Sequence, residues 1–181
     1  MTDRLPTMER LFTSDGRPLV VRPATPPDAP QVIATVDAVC RERRYMMTDR
    51  FTPGPDWQEV LGLVPPSGWK LLLIAECEGR IVGWCRVFAE TVSPFARHVA
   101  DVGIGVIRPY REIGIGTHLL RQAIRSAKKA RLEKLTATAF ATNERALNLF
   151  IGRGFKVTGR RYRQFNLDGR YIDELMLERF L

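Results

Sequence analysis

The sequence predicts a single α/β domain. Segments of strand composition alternate with segments of helical period from residue 17 to the end. No repeat, linker or low-complexity block divides them, and 181 residues with 45% apolar and 27% charged side chains suffice for one full core. Residues 1–16 mix charge, Pro and Gly and read as a flexible N-terminal arm ahead of a domain over 17–181.

The elements follow in order. Leu19 to Arg22 reads as a short strand ended by Pro23. Thr25 caps a helix entered through Pro26-Pro27, with Asp28 in its first turn and Ile33, Val36 and Val39 as its core stripe, ending near Cys40. Arg41 to Pro55 has no period, and a shorter helix from Asp56 to Leu61 stops at Gly62 and Pro65. Lys70–Cys77 and Arg80–Phe88 are strands joined by the tight Glu78-Gly79 turn, which sets Arg80 opposite Cys77. Val99 to Ile107, rich in Val, Ile and Gly, reads as a strand buried on both faces. After Gly114 and Gly116, the residues Leu119, Leu120, Ala123, Ile124, Ala127 and Ala130 form a clear helical stripe. Leu135–Phe140 is a strand, and Asn143 opens a helix through Ile151 that Gly154 stops. Phe155–Leu167 and Arg170–Phe180 form a hairpin over Asp168-Gly169, with Arg163 expected opposite Glu174 as an ion pair.

Composition excludes several classes. No apolar run approaches the ~20 residues of a membrane-spanning helix, and the first residues lack the apolar block of a signal peptide, so a cytoplasmic location is expected. Three cysteines (Cys40, Cys77, Cys85) without a C-x-x-C spacing, and only two histidines, argue against a metal site and for reduced, packed thiols. The net charge of +8 suggests an anionic partner. Basic residues cluster at Arg121–Lys134 and at Arg153–Arg170. The first cluster contains no aromatic residue and so offers no base-stacking platform; it reads as a solvated helix face, and nucleic acid is not the expected partner.

The chemistry-bearing segment runs from Val106 to Thr117 and contains Arg111, Glu112, Ile113, Gly114, Ile115 and Gly116. The two glycines remove side chains where a strand turns into a helix, so backbone N–H groups from Glu112 to Thr117 can converge on an anion such as a diphosphate. A dinucleotide fingerprint fails because Leu119 stands where its third Gly belongs, and no P-loop Gly-Lys-Ser/Thr triplet occurs. Alone, the glycine pair fits a plain tight turn equally well.

A second motif follows some thirty residues later: Asn143, Ala146, Phe150, Gly154 and Phe155 in N-x-x-A-x-x-x-[YF]-x-x-x-G-F spacing. With Arg111, Gly114 and Gly116 as [RQ]-x-x-G-x-[GA], Val21–Ala29 as an opening strand and helix, and Asp168–Met176 as a closing D-G-x-Y-x-D-x-x-M, the chain resembles the GCN5-related N-acetyltransferase (GNAT) superfamily. Its closing motif is similar to that of a bacterial branch that acts on amino acids or other small amines, though the motifs do not fix the substrate. The resemblance covers roughly residues 17–181 and implies a mixed, mostly antiparallel twisted sheet of six to seven strands with about four flanking helices. It further implies transfer of the acetyl group of acetyl-CoA, a cosubstrate, to a primary amine of a small molecule by direct attack on the thioester, without a metal. The alternative is a non-catalytic acyl-CoA-binding sensor or interaction module of the same fold. A homodimer stays open.

On these residues the resemblance implies that Ile104 and Val106 splay from the neighbouring strand and pair with the pantetheine arm. Glu112, Ile113, Gly114, Ile115, Gly116 and Thr117 cradle the pyrophosphate, with Arg111 in the motif. Asn143 reaches the pantetheine or the sulfur end, or serves as a plain helix cap. A Glu112 side chain beside a pyrophosphate has to point away from it. Relatives often carry a Glu on the strand before Asn143 and a Tyr on the following helix; here Thr138 and Phe150 stand there. The base is then Asp101, at the start of the cofactor strand, or His98, or a water chain, and Tyr45 and Tyr162 are open as acids. Arg41–Trp57 and Arg160–Phe165 are expected to wall the acceptor side, and their arginines suit an acceptor with a carboxylate.

Overall fold

In the computed structural model, which describes residues 7–65, 67–90 and 92–181, the chain runs β1 (Glu9–Phe12), β2 (Pro18–Pro23), α1 (Ala29–Cys40), α2 (Pro55–Val60), β3 (Lys70–Cys77), β4 (Arg80–Ala89), β5 (Val99–Val106), α3 (Ile115–Lys129), β6 (Lys134–Phe140), α4 (Glu144–Ile151), β7 (Lys156–Leu167) and β8 (Arg170–Phe180). Eight strands form one sheet in the order β1-β2-β3-β4-β5-β6-β8-β7. Every neighbouring pair is antiparallel except β5 and β6, which are parallel.

The strand alternation of β3 explains the two layers. Leu71, Leu73, Ala75 and Cys77 point to one face and pack with Leu119, Leu120, Ala123 and Ala127 of α3. Leu72 and Ile74 point to the other and pack with Val32, Val36 and Val39 of α1. A strand covered on both faces must be apolar at every position, which is why Leu71 to Ala75 read as an unbroken run. Burial of these side chains, at about 25 cal/mol per Å² of apolar surface, supplies the main drive to form both layers.

Two sequence expectations change. Within the stretch expected as an arm, Glu9–Phe12 instead pairs with Val21–Pro18 as β1, the sheet's eighth strand, and residues 1–6 lie outside the described residues. The turn between them is closed by Thr13, whose N–H reaches Arg17 O at 2.9 Å and whose hydroxyl accepts from Arg17 N at 2.9 Å. In the final hairpin the register shifts between Arg161 and Phe165, with Arg163 at φ 49°, so Arg161 and not Arg163 lies opposite Glu174. The bulge takes up residues that a plain ladder would have paired. The three cysteines are free and buried, and burial pushes the Cys85 thiol up to about 12.

The feature that positions the site is a split in the sheet. β5 meets β6 only through Val99–Asp101 against Lys134–Thr136. Beyond that, β5 stays with β4 as far as Val106 opposite Gly83, while β6 stays with β8 as far as Phe140 opposite Glu174. β5 is not buried on both faces as expected: only Ala100 and Val102 are buried, and alternation puts them on one face. Gly103 to Val106 are half-buried because β6 has left them.

Candidate active site

The split exposes main-chain groups of known direction. Ile107 N–H is bonded to Val82 O at 2.9 Å across β4. Alternation along the strand therefore turns the main-chain groups of Ile104 and Val106 the other way, into the split. Val106 O already accepts from Arg111 Nε at 2.7 Å.

The mouth of the split is the start of α3. Gly114 occupies the helix N-cap at φ 88°, a left-handed conformation that glycine adopts without a Cβ penalty. The first bond of the helix runs from His118 N to Gly114 O at 3.2 Å, so the N–H groups of Ile115, Gly116 and Thr117 have no carbonyl one turn back. A Cβ on Gly116 would come within 3.1 Å of Leu149 in α4, so the glycine also lets the two helices approach. Gly114, Gly116, Thr117, Ile104, Val106 and Asn143 line one cleft of about 370 Å³.

Three charged side chains at this mouth are already engaged. Arg111 does not aim its guanidinium at the turn. It holds Glu42 just beyond α1 (2.8 and 2.5 Å) and lies over the Tyr45 ring at 4.9 Å. Glu112, at φ 64°, turns its carboxylate to Arg145 of α4 at 3.0 Å. Arg145 also donates to the Tyr45 hydroxyl at 3.4 Å. The anion that sequence places beside the turn is thus partly neutralised, and Arg145 joins α3, α4 and the loop after α1.

Asn143 caps α4: its Oδ1 accepts from Ala146 N at 3.2 Å, which leaves the side-chain NH₂ to donate. Phe150 packs edge-on against Phe155 with centroids 5.0 Å apart and brings no hydroxyl.

A second cleft, about 550 Å³, opens from the same split through Ile104, Tyr45, Met46, Asn143 and Ala146. Trp57, Phe51, Trp84 and Phe140 form apolar walls, and Trp57 meets Phe51 edge-on at 4.9 Å. Arg50 and Arg86 bring positive charge, Thr138 lies at the mouth, and the carboxylates are Asp101 and Glu174.

Asp101, the expected base, does line this cleft, but Arg86 holds it at 2.6 Å across the β4–β5 ladder. His98 is exposed in the turn before β5 and lies outside the residues lining these clefts. Tyr162 is exposed on β7, under Arg160. Tyr45 alone of these lines both clefts. Sequence reasoning missed Glu174 as a cleft residue, and also Arg86 and Arg145; of the two stretches expected as walls, Arg41–Trp57 lines this cleft and Arg160–Phe165 does not. Arg86 could have been flagged as a charge inside an otherwise apolar strand. Glu174 was hidden because its place in the cleft is set by the long-range pairing of β8 with β6, opposite Phe140.

Comparison with known proteins now bears on this geometry. The sequence profile of the acetyltransferase (GNAT) family matches residues 38–155. The chain is 31% identical over 126 residues to the L-amino acid N-acetyltransferase AaaT of Escherichia coli K12, covering 68% of this chain and 74% of that protein. A GNAT-family acetyltransferase structure from Streptococcus pneumoniae superposes with TM-score 0.81 at 26% identity, over 90% of this chain and 99% of that one. A phosphinothricin acetyltransferase of the GNAT superfamily from Sinorhizobium meliloti, in complex with AcCoA, shares the fold at 18% identity (TM-score 0.78, 90% of this chain, 88% of that one).

Proposed function

Since the chain belongs to the acetyltransferase (GNAT) family, we propose that it transfers the acetyl group of acetyl-CoA to the primary amine of a small molecule, with L-amino acids as the first class to test. The observation that carries this is the split between β5 and β6, with the N-terminus of α3 at its mouth. It combines an open strand edge for an amide-bearing arm with unpaired helix N–H groups for a diphosphate.

The residues present fit acetyl-CoA. The N–H groups of Glu112 to Thr117 hold the diphosphate, and Arg145 keeps the Glu112 carboxylate from repelling it. Main-chain groups of Ile104, and the N–H of Val106, take the pantetheine amides as an added strand would. An N–H in this stretch also polarises the thioester carbonyl. Asn143 donates its NH₂ towards the sulfur end while its Oδ1 caps α4. Phe150 supplies no acid, which chemistry tolerates, because a thiol of pKa near ~8.5 leaves tolerably well as thiolate.

The amine enters from the second cleft. Arg50 and Arg86 there suit an acceptor carboxylate, and the aromatic walls suit an apolar side chain. The relative's acceptor class points the same way.

The test has two stages. Acetyl-CoA at one hundred times its Kd should stabilise the fold by about 2.7 kcal/mol and raise the melting temperature accordingly. Gly114→Glu should abolish that shift, since it strains a left-handed position and puts a like charge in the cradle. Free CoA thiol should then appear with L-amino acids above the rate in buffer alone. A melting temperature indifferent to acetyl-CoA overturns the reading at its root.

A further inference from the structure

We propose that Glu174 receives the acceptor's ammonium group and takes its proton before attack on the thioester. This rests on the reading above and names the base within it.

Glu174 is 3% exposed, the one charged residue that is buried among the described residues, yet it lines the cleft that opens from the split. Its place follows from the sheet. It lies opposite Phe140, the last residue of β6, and Ala141 N–H is bonded to the neighbouring Asp173 O at 2.9 Å. The chain then turns tightly, with Asn143 N on Phe140 O at 2.9 Å, into the helix that Asn143 caps. Glu174, Phe140 and Asn143 thus surround one end of the split, where β6 has parted from β5.

The carboxylate is held asymmetrically. Arg161 donates to Oε2 at 2.7 Å from a half-exposed position on β7, so the counter-charge sits on the solvent side of a buried acid. Among the described residues no donor is placed on Oε1. A carboxylate has acceptor sites for more than one donor, and this one lines the cleft, from which a further donor can reach it. An ammonium with three N–H donors suits that place. Asp101, the other carboxylate of the cleft, is half-exposed and faces Arg86, the group suited to the acceptor's own carboxylate. The two acids then divide the work: Asp101 orients Arg86, and Glu174 meets the amine.

The ammonium R–NH₃⁺ passes one proton to Glu174, and the freed lone pair forms the N–C bond to the thioester carbon. Collapse of the tetrahedral adduct breaks the C–S bond. The nitrogen's second proton goes to the departing thiolate, giving CoA–SH and R–NH–CO–CH₃, and Glu174 returns its proton to water in the cleft.

The test compares two acceptors with the same side chain and carboxylate: an L-amino acid that the wild type acetylates and its α-aminooxy analogue, one atom longer, whose nitrogen is uncharged at neutral pH. Glu174→Gln should lower kcat/KM at least about a hundredfold for the amino acid and far less for the analogue. Glu174→Asp, which keeps the acid but draws it back from the cleft, should show the same contrast in milder form. It also serves if Glu174→Gln folds poorly. The acetyl-CoA melting shift should persist in both variants, which separates this proposal from the cofactor reading. Equal losses with the two acceptors, or a loss under about threefold with the amino acid, would show a structural ion pair and overturn the assignment.

Discussion

Gly105 shows how a single missing side chain shapes the second cleft. A Cβ there would lie 2.2 to 2.8 Å from three ring atoms of Trp84, which is 2% exposed and directly opposite on β4. The indole fills the space a side chain would take and, with Phe140 and Trp57, walls the cleft. Gly103 likewise makes room for Arg86, whose Nε would sit 2.9 Å from an added Cβ. The glycines of β5, read from sequence as part of a buried strand, serve to seat a Trp and an Arg from the next strand. Gly105→Ala should therefore overpack this face and cost about 1–3 kcal/mol, seen as a lower urea midpoint at unchanged m-value. A variant as stable as the wild type would mean that Trp84 moves aside freely, and the cleft wall would then be soft.

At the scale of elements, α4 separates two roles of one residue. Asn143 accepts from Ala146 N as the cap of α4 and is free to donate through its NH₂. Asn143→Asp keeps an equally good cap at a helix N-terminus and removes the donor. The expected result is a melting temperature close to wild type with acetyl-CoA affinity reduced roughly tenfold, as for loss of one well-placed hydrogen bond. Asn143→Ala should lose about 1 kcal/mol of stability as well. If the Asp variant binds acetyl-CoA unchanged, Asn143 is a cap and nothing more. Most elements were legible in the sequence because local chemistry set them: Glu78-Gly79 put Arg80 opposite Cys77, Asp168-Gly169 paired Leu167 with Arg170, and apolar alternation placed β3 and β4. The Gly114–Gly116 turn was legible for the same reason, since two glycines at a strand–helix junction act locally. What escaped notice depends on pairing at a distance. β1 is four residues of mixed charge, and only the Asp15-Gly16 turn signal announced it. The bulge at Arg161–Phe165 has no mark in the run Arg-Arg-Tyr-Arg-Gln-Phe, and with it went the partner of Glu174 on β7, while the cleft position of Glu174 depends on the distant pairing of β8 with β6. The engagement of Arg111 with Glu42 and of Glu112 with Arg145 joins residues 69 and 33 apart, beyond any local pattern.

The charge balance of the whole molecule sets its response to acid. With a net +8, the chain is held together at neutral pH partly by carboxylates that face cations across elements. Arg22 of β2 and the Thr25 turn before α1 hold Asp28 well below the usual carboxylate range. Lys70 of β3 and the Ser67 N–H bring Glu59 of α2 down to about 2. Asp37 and Asp173 are lowered too, by the Phe51 and Arg163 N–H groups and by Arg41 and Arg160. Burial lowers His118 below its ordinary 6.5, so it also resists a proton in the folded state. For each of these groups the folded form binds protons less readily than the unfolded one. Each therefore contributes stability that is present above its unfolded value and is lost as pH falls through its folded value. The loss begins with His118 below about 6.5, steepens below the Glu value of 4.5 and is complete for Glu59 near 2. Protonation also adds net positive charge to a molecule already basic, so self-repulsion acts in the same direction. Urea midpoints should be level from ~pH 7 to ~pH 8 and fall progressively below ~pH 6, most steeply below ~pH 4.5. Asp28→Asn should lower the neutral-pH midpoint and flatten the acid limb, because the group that loses its charge on acidification is already uncharged. A limb of unchanged slope in that variant would place the acid sensitivity elsewhere and deny the Arg22–Asp28 pair its part in joining β2 to the start of α1.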